Sequence, residues 1–368
     1  MRLPFCDHHI SAFMESYTKG QKPLDVALSE YLRAHKSIGA HDRRTIGETV
    51  FGMVRWKTLI DTMCPSPHLL DRLKCFRSLD INACWNNTTI PEPARWGVNE
   101  FLHSRLCAIY GHEKARALCQ VLNGPAPTTI RVNQLKTTRE DLLKKWEGKW
   151  EMTPCLHAPA GIQFQKRTPL FTLPEFREGL FEVQDEGSQC VAALVKAKPG
   201  DHVLDYCSGS GGKTLAFAPL LQGKGQIYLY DNRPWILQEA RKRLRRAGVQ
   251  NAQFNLPAKK MDWVLADVPC SGTGTLRRNP DAKWKIDTAM VERLQEQQRE
   301  IVAKALEHVK PGGHLVYATC SILPEENQAQ VAYFLAQHPL VLEQELILLP
   351  QEGGMDGFFA AVFKKQPL

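Results

Sequence analysis

Two cysteines stand where two strand-like segments of this chain end. Cys270 lies in the turn Asp267-Val-Pro-Cys-Ser-Gly-Thr-Gly274, directly after the apolar run Trp263–Val268, and Cys320 follows the apolar run Leu315–Ala318. Open α/β sheets bind ligands at the carboxyl ends of their strands. A structural cysteine normally sits inside an apolar run, whereas Cys270 sits in a polar Pro/Gly turn. The pattern predicts two reactive thiols at one sheet edge.

A glycine-rich turn, Cys207–Thr214, follows a third strand-like segment and predicts a backbone that a ligand can approach closely. The turn is not a Walker A loop, because Cys207 stands where that loop has its first glycine. Gly-x-Gly-x-x-Gly is not satisfied either, since Thr214 replaces the last glycine. Asp231 ends the next segment, where a carboxylate can accept hydrogen bonds from ribose hydroxyls. These features predict an enzyme that uses thiol chemistry beside a nucleotide-like cofactor.

The segment after Cys320 predicts a helix start, because Pro324 is followed by Glu325 and Glu326. A helix N-terminus lowers the pKa of a nearby thiol. A second motif, Arg277-Arg-Asn-Pro-Asp-Ala-Lys-Trp284, follows the Cys270 turn.

Composition narrows the class of protein. The formal charge of +8 favours a polyanionic partner. The eleven cysteines include no Cys-x-x-Cys pair, which argues against a structural zinc site, and we expect no bound metal. Most of them, such as Cys107, Cys119 and Cys190, are expected to be small buried apolar residues. No signal peptide or membrane-spanning segment is predicted, so we expect a cytoplasmic protein.

Hydrophobic periodicity predicts three parts. Residues 1–123 read as all-helical, with an α-hairpin over Asp25–Asp61 and helical segments in Leu69–Leu79 and Trp96–Leu122. Residues 124–187 read as a small α+β module. Residues 188–368 alternate strands and helices, which predicts a mostly parallel, Rossmann-like α/β sheet.

The motifs together resemble the RsmB/Sun family of RNA cytosine-C5 methyltransferases. The resemblance is carried by Val203–Thr214, Asp267–Gly274, Tyr317–Asn327 and Asp356–Ala361, with upstream support from Arg131–Asn133 and Val183–Ser188. It covers nearly everything from about Gly124 to the C-terminus. The helical first third resembles the NusB-like RNA-binding extension of RsmB-type members.

This resemblance implies a class I methyltransferase domain that uses S-adenosylmethionine. It implies that Cys320 is the nucleophile, that Cys270 is the thiol that releases product, and that Asp231 holds the cofactor's ribose. Asp267 would lie near the methyl-donor end. The turn around the methionine part of the cofactor would comprise Cys207, Ser208, Gly209, Ser210, Gly211, Gly212 and Lys213.

Two segments depart from the family pattern. The family's Ala-Pro-Gly-Gly turn is Gly209-Ser-Gly-Gly212 here, and the short segment Gln250–Asp262 lacks the adenine-side aspartate, leaving Asn255 nearby. Cofactor affinity is the property that these changes affect.

The resulting hypothesis is a cytoplasmic, monomeric enzyme that makes 5-methylcytidine in RNA, with small-subunit (16S) ribosomal RNA as substrate. The two N-terminal parts, 1–123 and 124–187, would position the RNA. A tRNA cytosine methyltransferase and a non-catalytic RNA-binding ribosome-assembly factor stay open as alternatives. The sequence does not identify the target nucleotide, because RNA specificity depends on shape and on contacts spread over several domains.

Overall fold

The computed structural model describes residues 4–17, 22–166 and 168–367, which pack into two compact units. One unit comprises Met1–Pro125 and Thr275–Met290, and the other comprises Ala126–Gly274 and Val291–Leu368. No helix in these described ranges is both long and apolar enough to cross a membrane.

The first unit is helical. Its helices are α1 Phe5–Tyr17, α2 Leu24–Ala34, α3 Ala40–Arg55, α4 Lys57–Met63, α5 Leu69–Ser78, α6 Ile81–Asn86, α7 Glu92–Arg95, α8 Glu100–Tyr110 and α9 His112–Asn123. The predicted hairpin over Asp25–Asp61 is therefore three helices. The segment Trp96–Leu122 divides at Gly111, whose φ of 76° ends α8, because this left-handed conformation favours glycine over any residue with a side chain.

The segment Thr275–Met290 is part of the helical unit, although it follows the Cys270 turn in sequence. The indole Nε1 of Trp284 donates to the carbonyl of Val54 at 2.7 Å. Lys283 is completely buried, and its Nζ donates to Arg55 O at 3.0 Å, Gly97 O at 2.8 Å and Asn123 Oδ1 at 2.6 Å. One amino group thus contacts acceptors at three separate chain positions.

The second unit contains two sheets, and the smaller one has four antiparallel strands in the order β2-β3-β1-β4. Its elements are β1 Thr128–Val132, α10 Arg139–Lys145, β2 Met152–Pro154, β3 Gly161–Phe164, α11 Pro174–Arg177 and β4 Phe181–Val183. A capping box formed by Thr138 and Asp141 starts α10. Trp146 and Phe181 are buried in the core of this sheet.

The larger sheet has seven strands in the order β10-β11-β9-β8-β5-β6-β7. Its elements are α12 Glu186–Ala192, β5 His202–Asp205, α13 Thr214–Phe217, β6 Gln226–Leu229, α14 Pro234–Ala247, β7 Ala252–Gln253, β8 Met261–Asp267, α15 Thr288–Glu307, β9 Val309–Thr319, α16 Gln328–Gln337, β10 Leu340–Leu348 and β11 Phe358–Lys365. Neighbouring strands from β9 to β7 are parallel, whereas β10 and β11 pair antiparallel. The predicted Rossmann-like α/β fold is confirmed. Edge strand β10 was not predicted, since polar residues dominate its middle.

Replacing Lys283 is expected to destabilise the helical unit. Lys283→Met keeps most of the side-chain length but leaves three acceptors without a donor, each of which costs about 1–3 kcal/mol when buried. Hydrogen exchange of the α3 and α9 amides should therefore become faster. Lys57→Met is the matched control, because Lys57 forms a solvent-exposed i,i+4 pair with Asp61 on α4 and its loss should cost less than about 1 kcal/mol. Equal exchange in both variants would contradict the role assigned to Lys283.

Candidate active site

The two thiols predicted to share a sheet edge lie side by side. Strands β8 and β9 are parallel, with Asp267 opposite Ala318, so the turns that follow them leave the sheet together. The Sγ atoms of Cys270 and Cys320 are 3.4 Å apart, and the Cys320 N–H points at Cys270 Sγ at 3.3 Å. This distance allows one thiol to donate a hydrogen bond to the other as a thiolate.

A buried glutamate holds these two turns together. Glu326, which is completely buried, accepts from the Ser271 N–H at 2.9 Å, from Ser271 Oγ, and from Gln298 Nε2 at 3.0 Å. Ser271 Oγ lies 3.2 Å from Ser321 Oγ. The residue after each catalytic candidate is therefore part of one buried polar network. Glu326 was predicted only as a helix-start residue, and its sequence signal was its position in Pro324-Glu-Glu.

Close backbone approach explains the last family motif. A Cβ on Gly274 would lie 2.2 Å from the carbonyl oxygen of Gly357, so no larger residue fits there without a shift. The Gly274 N–H donates to Cys320 O at 2.9 Å, and the Gly357 N–H donates to Gly274 O at 2.9 Å. Three motifs that are far apart in sequence thus meet through backbone hydrogen bonds.

Cys320 has the electrostatic setting of a nucleophile. Its pKa is lowered, first because the Cys270 S–H donates to its thiolate and further by the charge of Lys213, against the effects of burial and of Asp267. The pKa of Cys270 is raised well above its ordinary value by the same hydrogen bond and by burial. Eight other described cysteines have a raised pKa, with burial as the largest cause: Cys6, Cys75, Cys84, Cys107, Cys119, Cys155, Cys190 and Cys207.

A cavity of about 790 Å³ lies at the carboxyl ends of β5, β6 and β8. Its wall includes every predicted cofactor residue except Gly211, namely Cys207, Ser208, Gly209, Ser210, Gly212, Lys213, Asp231 and Asp267. Gly211 instead faces α14, where its Cβ would lie 2.9 Å from Leu244. Gly211 therefore lies behind the cavity wall, and its φ of 77° is the local reason for glycine.

The cavity and the thiols are adjacent but distinct. Neither Cys270 nor Cys320 is among the residues that line the cavity. Lys213 connects the two, because it lines the cavity, forms an ion pair with Asp267, and lowers the pKa of Cys320 through its charge. A reactive group bound beside Asp267 would thus lie near the nucleophile.

Two buried side-chain atoms on the cavity wall have no hydrogen-bond partner among the described residues, Asp205 Oδ1 and Ser208 Oγ. Burial raises the pKa of Asp205 to about 7, although Thr214 Oγ1 donates to its other oxygen at 2.6 Å. Buried polar atoms are normally hydrogen-bonded, so these two indicate a polar ligand. Asp205 was not among the predicted site residues, and its position at the end of β5 was the available signal.

Asp231 is buried, and both of its oxygens already accept hydrogen bonds. Oδ2 accepts from the Gly209 N–H at 2.9 Å, and Arg233 binds both oxygens at 2.9 and 3.1 Å. The pKa of Asp231 is lowered overall. Burial alone would raise it, but the hydrogen bonds from Arg233 and from the Gly209 N–H outweigh burial. The half-exposed Arg233 also lines the cavity. A ribose on Asp231 would replace part of the Arg233 contact.

Asn255, the residue left near the missing adenine-side aspartate, lies outside the cavity lining. It is exposed, and its Nδ2 donates to the carbonyl of the adjacent Leu256. The cavity is completed instead by residues that the sequence did not assign to the cofactor, some of which lie within the family motifs: Val183, Gln184, Ser188, Tyr206, Tyr230, Asn232, Arg233, Arg243, Val268, Pro269, Gln297, Glu300, Ile301 and Lys304. No cluster of His, Cys, Asp or Glu suited to a metal ion is present in the part of the chain that the structure describes.

Comparison with known proteins gives the family. The family model for the 16S rRNA methyltransferase RsmB/F matches residues 192–364, and that for the ferredoxin-like domain of RsmF/B-like methyltransferases matches residues 98–170. A crystal structure of a methyltransferase homolog protein from Pyrococcus horikoshii is 28% identical with a TM-score of 0.65, over 74% of this chain and 97% of that chain.

Relatives that carry the name ribosomal RNA small subunit methyltransferase B support the same family. The Enterobacter protein is 36% identical over 64% of this chain, and the Vibrio vulnificus protein is 30% identical over 99% of this chain and 88% of its own length. In other alignments, the chain spans 57–64% of the length of relatives from Synechocystis, Enterobacter and Vibrio cholerae. The match over 99% of this chain leads to one conclusion: this chain belongs to the RsmB family of ribosomal RNA methyltransferases.

Proposed function

We propose that this chain is an S-adenosylmethionine-dependent methyltransferase that converts cytidine to 5-methylcytidine in small-subunit (16S) ribosomal RNA. The observation that carries this proposal is the pair of thiols 3.4 Å apart, of which one has a lowered and the other a raised pKa. Direct methylation of cytosine C5 is slow because C5 is a poor nucleophile. A thiol pair provides both an attacking group and a group for release.

The polar atoms of the cavity wall suit S-adenosylmethionine. Asp205 Oδ1 and Ser208 Oγ are buried acceptor atoms without a partner, which suit the amino group of an amino acid. The glycine-rich turn would surround the methionine part, and Asp231 would accept from the ribose. When bound, the cofactor supplies the methyl group to the nucleophilic carbon of the base.

Cys320 is assigned the attack. Its thiolate adds to C6 of cytosine, and the electron pair of the C5–C6 double bond moves so that C5 becomes enamine-like and accepts the methyl group. Lys213 stabilises the thiolate before attack. The cytosine must be unpaired or flipped out to reach the thiols, at a cost on the order of a few kcal/mol.

Cys270 is assigned the release. While Cys320 is a thiolate, the hydrogen bond between Cys270 and Cys320 keeps the proton on Cys270. Once the Cys320 sulfur is bonded to C6, that negative charge is gone, so Cys270 releases its own proton to solvent more easily. Its thiolate then accepts the C5 proton, the C5–C6 double bond re-forms, and Cys320 leaves as a thiolate.

RNA as the partner is supported by the net charge of +8 and by the names of the relatives, which are ribosomal RNA small subunit methyltransferases. We assign RNA positioning to the predicted domain 1–123 and to the module 124–187, and the chemistry to 188–368. A cytoplasmic monomer completes the proposal. The lowered pKa of Cys320 favours an enzyme over a non-catalytic assembly factor.

The two thiol assignments give opposite outcomes on a denaturing gel. Cys320→Ala should form no covalent RNA complex, because the attacking group is missing. Cys270→Ala should form the C6 adduct, transfer the methyl group and then stall, so that a slow-migrating protein–RNA complex accumulates. The substrate is unmodified small-subunit rRNA with S-adenosylmethionine.

The double variant is the control for this experiment and should resemble Cys320→Ala. A complex trapped by Cys320→Ala and absent from Cys270→Ala would show that the two roles are reversed. Equal and full methylation by both single variants would overturn the thiol mechanism.

The hydrogen bond between the thiols also predicts a pH effect. Because the Cys270 S–H lowers the pKa of Cys320, Cys270→Ala should shift the pH midpoint of Cys320 alkylation upward. Alkylation by iodoacetamide at a pH below the midpoint of the variant should therefore become slower, because a smaller fraction of Cys320 is thiolate. Mass spectrometry of the Cys320 peptide measures the rate. Cys207→Ala, which removes another thiol near the cavity, should leave the midpoint unchanged, and a similar shift in both variants would refute the coupling.

The assignment of Asp231 is tested by cofactor binding. Asp231→Asn keeps the shape but loses the charge-assisted hydrogen bond to ribose, which is worth about 1.5–3 kcal/mol. Calorimetry should therefore show at least tenfold weaker binding of S-adenosylmethionine. Arg233→Ala should bind at least as tightly as the wild type, since Arg233 competes for the same carboxylate. An unchanged Kd for Asp231→Asn would mean that Asp231 serves the turn alone.

A further inference from the structure

Arg131, from the motif Arg131-Val-Asn133, is directed at the glycine-rich turn. Its side chain comes from β1 of the small sheet and is buried, with 5% of the residue exposed. Nη1 donates to the carbonyl oxygen of Gly212 at 2.9 Å and also to Oε1 of Gln184. Gln184 and Gly212 both line the cavity, whereas Arg131 lies behind them. A buried guanidinium in this position cannot contact an RNA phosphate.

A second arginine holds the same turn from α14. Arg243 Nη1 donates to Ser210 O at 3.0 Å, and Arg243 Nη2 donates to Glu182 Oε2 at 3.0 Å. Arg246 pairs with the other oxygen of Glu182. Two guanidinium groups, those of Arg243 and Arg246, thus share the Glu182 carboxylate of β4, and the charge of that carboxylate also acts on Arg131. The region behind the turn carries an excess of positive charge.

Backbone geometry transmits the Arg131 contact to the cavity. In a trans peptide, the C=O and the next N–H point in opposite directions. Holding the Gly212 carbonyl towards Arg131 therefore directs the Lys213 N–H the opposite way, away from Arg131. The Lys213 N–H has no acceptor in the described part of the chain. The Gln184 amide is fixed in the same way, because Arg131 occupies its oxygen and its Nε2 donates to Ser188 Oγ at 3.1 Å.

We propose that Arg131 is a positioning residue for the carboxylate of the cofactor's amino-acid part, through the Gly212 carbonyl, the Gln184 amide and its own positive charge. This inference rests on the proposed function. Burial lowers the pKa of Arg131 to about 10, so the group is still protonated at neutral pH. Anionic groups are the ligands that such a field favours. The motif Arg131-Val-Asn133 then acts on the cofactor, and its strand belongs to the cofactor site as much as to any RNA surface.

Two ligands separate this role from a purely structural one. S-adenosylhomocysteine carries the carboxylate, whereas 5′-methylthioadenosine has the same adenosine and sulfur but no amino-acid part. Arg131→Met should raise the Kd of the full-length protein for S-adenosylhomocysteine at least tenfold, and should change the Kd for 5′-methylthioadenosine by less than about threefold. Isothermal calorimetry measures both values without any methyl transfer.

Matched variants complete the test. Arg131→Lys, which retains the charge, should lose less affinity for S-adenosylhomocysteine than Arg131→Met. Arg177→Met changes an exposed arginine of the same small sheet region and should leave both Kd values unchanged. If Arg131→Met does not fold, as judged by its melting curve, the ratio of the two Kd values in Arg131→Lys is used instead.

The outcomes are distinct. An unchanged Kd for S-adenosylhomocysteine in the Arg131 variants, or equal losses for both ligands, overturns the positioning role and leaves the proposed function intact. A wild-type protein that binds neither ligand overturns the proposed function, and this inference with it. A selective loss of S-adenosylhomocysteine affinity, partly restored in Arg131→Lys, supports the assignment.

Discussion

The buried carboxylate of Glu326 is the constraint on which the thiol site depends. It accepts hydrogen bonds from the Ser271 N–H and from Gln298 Nε2, and the Tyr317 hydroxyl donates to the Glu326 carbonyl at 2.7 Å. A buried carboxylate is costly unless its oxygens are hydrogen-bonded, so loss of any donor would release the turns from their present spacing. The distance between Cys270 and Cys320 follows from this network.

The negative charge of Glu326 also acts against the ionisation of the two thiols. Its charge raises the pKa of Cys270 and that of Cys320, in both cases after larger causes. Lys213 and the Cys270 S–H act in the other direction on Cys320, and their combined effect is the larger one. The lowered pKa of Cys320 thus depends in part on a lysine that also forms part of the cavity wall, so the thiol and the cavity share one charged group.

The chain that carries Cys270 continues into the other unit. After Gly274 it enters the segment Thr275–Met290, whose Lys283 and Trp284 are built into the helical unit. Buried polar contacts therefore fix this segment within the helical unit.

The sequence alone determined the features that depend on local pattern. Alternating apolar segments predicted β5, β6, β8, β9 and β11, and the Pro/Gly turns after them identified the thiols and the glycine-rich turn. Residues at strand ends are predictable because all parallel strands present their carboxyl ends at one edge. The resemblance carried by these motifs gave the family, and the family comparison confirms it.

Only the tertiary structure decided which polar side chains support the site. Arg131, Lys283 and Glu326 are charged residues that local pattern assigns to a surface or to a helix start, yet each is buried. Their partners are 81, 186 and 55 residues away at the Gly212, Gly97 and Ser271 contacts, and no local periodicity encodes such a pairing. Asn255 lies outside the cavity lining, and Gly211 faces α14. The packing around α14 and the loop geometry decide these two positions, and local pattern does not encode them either. Strand ends are set by neighbouring residues along the chain, whereas buried charges are satisfied only by groups that folding brings together.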